Sequence, residues 1–324
     1  MKFTVSIPAT TANLGPGFDV WGLALNLRNE FTCTLLEENE ESILEFSFSD
    51  LVNSSSNVNP ESQLETGSRN IIFKSYNQLF EKAGVNPPHI HVKAKIGVPI
   101  ARGLGSSSTA ILAGLVMANE ILRHRYKKSF EYDQLFNLAV EIEGHPDNLA
   151  PALWGGFVLP VKSEESRSYT KLHLDFKAPV QLAGLIPHYS LNTERARQLL
   201  PEKVPLYVVS FQASRTALLS NLASRENWQK SDFSLLKVAM QDKVHQEQRA
   251  EMIPGMLETF DYWKSIGCVG SFLSGAGPVL LGFWHKDVNA SEKHLSKVFD
   301  EKSVPCTTFY PKIDRTGLTV TFED

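Results

Sequence analysis

Residues 97–110 read GVPIARGLGSSSTA, a proline followed by two glycines around one leucine, then three serines and a threonine. Glycine admits backbone conformations that a side chain blocks and lets a ligand approach the main chain closely. Serine and threonine favour helix N-termini. The continuation TAILAGLVMANEIL, residues 109–122, is apolar nearly all round and predicts a buried helix. A glycine-rich turn feeding such a helix points unpaired N–H groups and the positive end of the helix dipole at one spot, which makes an anion site. Phosphate is the commonest biological anion for such a site. No lysine follows the glycines, so this is not the P-loop of the Walker type. Taken alone, the stretch fits a tight turn with an ordinary helix cap equally well.

The chain has 324 residues, 42% hydrophobic and 21% charged, with a net charge of −4. That composition is globular and leaves room for two domains. Its mildly acidic balance argues against nucleic acid as a partner. The three cysteines, Cys33, Cys268 and Cys306, are far apart, with no pair at metal-ligand spacing. Free thiols and a cytoplasmic location are therefore expected. The N-terminus MKFTVSIPATTANLG lacks the apolar core of a signal peptide. The most apolar long stretch, VGSFLSGAGPVLLGFW at 269–284, is broken by glycine, serine and proline, so no membrane partner is expected.

Alternation predicts strands at KFTVSIPA (2–9), NEFTCTLL (29–36), SILEFSFSDL (42–51) and HIHVKAKIGVPI (89–100). Residues 52–69, rich in serine and asparagine, read as an exposed loop. Helical spacing with a glycine stop marks residues 70–84, and a further helix is expected at 129–144. From about residue 170 the pattern restarts, with strands at VQLAGLIPH (180–188) and PLYVVSFQ (205–212) and helices through residue 265. Two buried strands around SGAGP follow, and β structure returns at 304–313 and 317–324. The fold class is α+β, in two closely packed halves.

Further constellations carry chemistry. In PATTANLGPGFDVWGLAL (8–25), Asn13 and Asp19 bracket a Gly-Pro-Gly turn, as Asx-type turn residues also would. EIEGHPDNLAPALWGG (141–156) crowds Glu141, Glu143, His145, Asp147 and Asn148 after a helix, where a carboxylate suits Mg²⁺. SGAGP (274–278) alone is a hairpin turn.

In this order, IPATTANLGPGFDVWGLAL, PIARGLGSSSTA and FLSGAGPVLLGF, with EGHPDNLAPALWGGF between the last two, resemble the hallmark segments of the GHMP kinase superfamily over essentially the whole chain. ANLGPGFD and HPDN are most similar to the branch that phosphorylates L-homoserine. The resemblance implies an N-terminal domain like the second domain of ribosomal protein S5 and a C-terminal ferredoxin-like domain, here 1–168 and 169–324. It implies ATP held by Pro99, Arg102, Gly103, Leu104, Gly105, Ser106, Ser107 and Ser108, with Asn70 near the adenine. Mg²⁺ would fall to Ser107 and Glu143, with Glu141 as a possible substitute for the glutamate. An amino-acid acceptor would be held by Asn13, Asp19, His145, Asn148, Arg197 and Arg249. Asp19 would face its ammonium and the arginines its carboxylate. Thr193 and Asn148 would orient the reacting hydroxyl, with Asp147 left open as a base. The implied reaction is ATP-dependent formation of O-phospho-L-homoserine in threonine biosynthesis. Family members are often dimers, and the residues leave a homodimer open. Two rivals remain: a relative acting on another alcohol, and a ligand sensor of the same fold without turnover. The sensor would be expected to lack the Mg²⁺ serine or glutamate, and both are present.

Overall fold

The computed structural model describes residues 1–37, 39–286 and 290–323. Strands β1 (Lys2–Asn13) and β2 (Gly17–Leu35) form a long antiparallel pair with register shifts at Pro8/Ala9 and Ala12/Asn13. β3 (Ile43–Phe48) runs parallel to β4 (Ile90–Ile96), and β4 pairs with the far half of β2. β5 (Phe157–Lys162) takes the near half of β2 and carries β6 (Tyr169–Leu174) on its other side. The remaining strands are β7 (Val180–Pro187), β8 (Cys268–Leu273), β9 (Leu280–His285), β10 (Cys306–Phe309) and β11 (Thr319–Phe322). β7 to β10 make a second, antiparallel sheet in the order β10-β7-β9-β8.

Helices fill the rest. The first half holds α1 (Asp50–Ser54), α2 (Ile71–Ala83), α3 (Ser106–Tyr126), α4 (Tyr132–Glu143) and α5 (Leu149–Trp154). The second half holds α6 (Thr193–Gln198), α7 (Leu206–Ala223), α8 (Lys230–Ala239), α9 (Gln246–Arg249), α10 (Met256–Ser265) and α11 (Glu292–Glu301). In the second half, helices between β7 and β8, a β8–β9 hairpin, α11 and β10 give the β-α-β-β-α-β order expected of a ferredoxin-like domain.

Helix α3 is the centre of the first core, as its all-round apolar sequence demands. Ile111, Leu112, Leu115, Val116, Ile121 and Leu122 are each at most 1% exposed, and a fully buried residue of this kind contributes about 1.5–3 kcal/mol of transfer energy. A second cluster joins the halves: Trp21 stacks on Phe157 at 4.3 Å, and Phe176 bridges Phe157 to Phe283 of β9. The cleft between the sheets is thus backed by a shared core.

Three expectations are corrected. PLYVVSFQ is the first part of helix α7, not a strand. Strand propensity reflects packing on a pleated surface, and here Leu206, Tyr207 and Val209 are 79%, 65% and 49% exposed with no sheet to pack on. The helix-forming run QASRTALLSNLA, which follows directly, carries the segment instead. Residues 52–69 are not simply an exposed loop: α1 and two 3₁₀ turns lie there, with Val52, Ser55 and Pro60 buried. The division at 168/169 cuts the β5–β6 hairpin, because β6 still belongs to the first sheet. The last strand, β11, also returns there to pair with β1. Behind that joint, Arg28 reaches Asp314, the Ser6 carbonyl and the Gly317 carbonyl together.

Candidate active site

A cavity of about 330 Å³ lies in the cleft. Its apolar wall is Phe46, Leu64, Ile71, Ile72, Ile96 and Ile100, from β3, the start of α2, β4 and the connections beside them. The next part is the GLGSSS turn. Gly103 (φ +82°) and Gly105 (φ +71°) adopt left-handed conformations that favour glycine. A Cβ on Gly105 would stand 2.0 Å from Thr10 Oγ1. Thr109 N–H makes the first bond within α3, to Gly105 O, and no side chain caps the helix. The amides of residues 105–108 therefore have no acceptor inside the helix and face the cleft as an anion site.

Ser107 Oγ and Ser108 Oγ donate to the two carboxylate oxygens of Glu143 at 2.9 and 3.1 Å. Glu143 ends α4, and Gly144 in a left-handed conformation closes that helix. Glu141 lies on the exposed face of α4 and is not on the cavity wall, so of the two glutamates Glu143 meets the serine. Among the described residues no cluster of three or more His, Cys, Asp or Glu is placed to hold a metal. A divalent ion here would combine hard oxygens of Ser107 and Glu143 with those of a bound phosphate, a donor set that suits Mg²⁺.

The polar end is built from both halves. The β1–β2 turn leaves Asn13 (φ +72°) and Asp19 (φ +56°) in left-handed conformations, with Asn13 Oδ1 accepting Asp19 N–H at 3.1 Å and Asn13 Nδ2 donating to Gly275 O at 3.0 Å. Arg197 of α6 forks onto Asp19 with bonds of 2.9 and 2.7 Å. Arg249 of α9 is 2% exposed and donates to Gly275 O at 2.8 Å and Ala196 O at 3.3 Å. Among the described residues no carboxylate lies within ion-pair distance of it. Burial, and then the like charge of Arg197, push its pKa down to about 10. Both guanidinium groups lie over the ring of Phe18, Arg197 at 5.5 Å and Arg249 at 5.3 Å from its centre.

On the adjoining wall, Thr10 Oγ1 donates to Asn148 Oδ1 at 2.8 Å, and Asp147 Oδ1 accepts from Asn148 N–H and pairs with His145 Nδ1, each at 3.0 Å. Burial opposes charge on His145, but the Asp147 hydrogen bond, reinforced by the charges of Asp147 and Glu143, outweighs it and raises the pKa above 6.5. A raised folded-state pKa stabilises the protein below the unfolded value and loses that contribution as pH climbs through the folded one. The Tm advantage of the unchanged protein over His145→Asn is therefore expected to be largest at acidic pH and to shrink from about pH 6.5 upward. A gap that widens with pH in thermal melts contradicts this.

The structure gathers Asn13, Asp19, Asn70, Arg102, Gly103, Gly105, Ser106, Ser107, Glu143, His145, Asp147, Asn148, Thr193, Arg197 and Arg249 around one cavity. Four side chains of the expected phosphate loop point elsewhere, which leaves Leu104 and Ser108 only their amides to offer. Arg102 turns its guanidinium to Ile100 O and towards the Ser55–Ser56 segment, and Pro99 borders that same segment instead of the cavity. Leu104 is buried, with its carbonyl taken by Thr10 N–H, and Ser108 is turned onto Glu143. The Asn70 side chain caps α2 through Ile72 N–H and holds Glu65 O, so its amide is already in use. Unforeseen were Phe18, the Thr10 support and the role of SGAGP. Ser274 Oγ reaches Gly103 O at 2.6 Å, while Gly275 O receives both Asn13 and Arg249. The only signal for Phe18 was its place in the GFD of the turn.

A helix N-terminus aimed into an interdomain cleft, a serine–glutamate pair beside it and a third glycine turn braced against the loop define a small-molecule kinase of the GHMP class. Residues 70–156 match the GHMP kinases N terminal domain and residues 219–299 the GHMP kinases C terminal domain. The chain is 38% identical over 319 residues to a homoserine kinase of Clostridium beijerinckii, covering 98% of both chains. It is 37% identical to a homoserine kinase of Halothermothrix orenii, covering 98% of this chain and 95% of that one. The crystal structure of a homoserine kinase from Cytophaga hutchinsonii superposes with a TM-score of 0.80 at 26% identity, covering 99% of this chain and 97% of the other. The chain belongs to the homoserine kinase family of the GHMP kinases.

Proposed function

We propose that this chain transfers the γ-phosphoryl group of ATP to the side-chain hydroxyl of L-homoserine, giving O-phospho-L-homoserine for threonine biosynthesis. The observation that carries the reading is Arg249, a buried guanidinium that donates to two carbonyl oxygens and has no carboxylate within ion-pair distance among the described residues, in the cavity that also presents the loop amides. A buried cation without a counter-charge is costly, and the carboxylate of an amino-acid acceptor would supply one. The Asp19–Arg197 pair then meets a zwitterion that brings a partner for each of its charges. Full-length relatives named as homoserine kinases support the same acceptor.

In this reading Gly103, Gly105 and Ser106 present their amides to the ATP phosphates, and the apolar wall around Ile71 and Ile96 takes the adenine. Ser107 and Glu143 would hold Mg²⁺, which when bound neutralises charge on the phosphate oxygens. Asn13 and Asp19 hold the acceptor's ammonium, with His145 beside them, and Thr193 and Asn148 orient its hydroxyl in line with the transferred group. Asp147 keeps His145 and Asn148 in place through Oδ1. The transition state is loose, so the reading needs no dedicated base. Three free thiols, at Cys33, Cys268 and Cys306, fit a reducing cytoplasm.

The test is ADP release with Mg²⁺ and ATP, comparing L-homoserine, L-threonine, mevalonate, shikimate and galactose. Preference for homoserine is expected. Preference for another alcohol overturns the acceptor, and nucleotide binding without any turnover favours a sensor. Glu143→Gln keeps the shape but not the charge, and its kcat is expected to fall by about 10- to 100-fold with a higher Mg²⁺ requirement. An unchanged Mg²⁺ requirement removes Glu143 from the metal site.

A further inference from the structure

Asp242 and His245 lie outside the cavity, yet both side chains are wholly buried at 0% exposure. Asp242 is a buried carboxylate that accepts four N–H donors. Gln212 Nε2 and Val244 N–H reach Oδ1 at 2.8 and 3.1 Å, and His245 N–H and Gln246 N–H reach Oδ2 at 2.9 and 2.8 Å. Those bonds seat the first turn of α9, the helix that ends in Arg249. They also aim two side chains at the β1–β2 turn of the other half. His245 Nε2 donates to Gly15 O at 2.8 Å, and Gln212 Nε2 donates to Pro16 O at 3.0 Å.

The turn has no slack. Gly15 is left-handed (φ +75°), and a Cβ there would stand 2.7 Å from Met240 O. Three residues later Phe18 packs its ring on His245 at 5.5 Å, and the same ring carries the guanidinium groups of Arg197 and Arg249. His245 Nδ1 has no partner among the described residues. The ring is therefore best accommodated neutral, with its one hydrogen on Nε2. Burial, the largest influence on it, acts in the same direction by lowering its pKa.

We propose that Asp242 and His245 are positioning residues. Without touching the acceptor, they lock the β1–β2 turn so that Phe18 and Asp19 meet the two arginines in the acceptor-binding geometry. This rests on the reading of that end of the cavity as the acceptor site. The pair acts across the domain boundary, so the acceptor pocket exists only while His245 grips Gly15. The phosphate loop is braced by Ser274 and, from the body of β1, by Thr10 N–H on Leu104 O, neither of which touches Gly15, and should feel little of the change.

The experiment is steady-state kinetics on the full-length enzyme carrying His245→Phe, His245→Gln or His245→Asn, with a thermal melt for each. His245→Phe keeps a ring but leaves Gly15 O unpaired. Its KM for homoserine is expected to rise about tenfold or more, the size set by one lost buried hydrogen bond, while its KM for ATP stays within about twofold. The Gln amide reaches Gly15 O and is expected to restore most of the affinity, whereas the shorter Asn does not. If the KM for homoserine is unchanged in both the Phe and Asn variants, the proposal fails. It fails equally if the KM values for homoserine and ATP rise together in step with lowered Tm, which marks a fold strut. Should the Phe variant not fold, the Gln-to-Asn ratio of KM carries the test, with a ratio of one overturning it. Turnover of homoserine by the unchanged enzyme tests the functional reading separately, so the two can fail independently.

Discussion

Replacing Arg249 with methionine is expected to raise the KM for homoserine by about a hundred- to a thousandfold. Methionine keeps much of the apolar stem and removes the charge. Loss of one partner from a buried, hydrogen-bonded charge pair costs about 3–5 kcal/mol, and every 1.4 kcal/mol is about tenfold in affinity. Arg249→Lys should recover only part of the loss, because an ammonium cannot fork onto a carboxylate. The KM for ATP should move little, since the loop amides lie on another part of the wall. Stability is the telling contrast. Arg249 is buried with two carbonyl partners and, among the described residues, no carboxylate in ion-pair contact, so the free protein already bears its desolvation, and Tm should fall by no more than about 3 °C. Steady-state kinetics alongside thermal melts decide the matter: a KM within threefold of normal, or a collapse in Tm, removes Arg249 from the acceptor site.

Gly103→Ala is expected to damage both stability and nucleotide handling with a single methyl group. Its Cβ would stand 2.2 Å from Ser274 O and 2.9 Å from Gly277 N, both backbone atoms, at a φ of +82°. The left-handed conformation alone costs an alanine about 1–2 kcal/mol. The clash adds a forced separation of the GLGSSS and SGAGP turns. A combined loss of about 4 kcal/mol in stability is expected, in the range kept for severe core or backbone defects. The loop amides move with the separation, and a displacement of about 1 Å in a positioned site costs about a hundredfold in rate. Denaturant unfolding and kcat/KM for ATP measure both effects. Near-normal values for the variant show that the two turns slide without penalty.

What could be read along the chain was local chemistry. Helix α3, the glycine turn before it and the glycine stops of α2 and α4 are written in neighbouring residues, because caps and periodicity act over a few positions. The pairing of Arg197 with Asp19 joins residues 178 positions apart, and nothing near either one announces it. The position of Arg102 in the motif points it at phosphate, yet its guanidinium is claimed by a segment 46–47 residues earlier. The valines and tyrosine at the start of α7 suit a strand, and the helix-forming run after them, with no sheet edge to receive them, decides otherwise. His145, Asp147 and Asn148 were legible as a group, whereas Thr10, which braces Asn148 from 138 residues away, was not.

The pairing of β11 with β1 has a consequence for how the two halves fold. Phe3 to Ser6 take their neighbours from residues 319–322, and Arg28 takes Asp314 and Gly317. Partners so far apart along the chain meet only once the segments between them have been brought together, and that loop closure carries an entropic cost. The first sheet is thus completed by residues that follow the second half, and the two halves are expected to fold and unfold as one cooperative unit rather than one after the other.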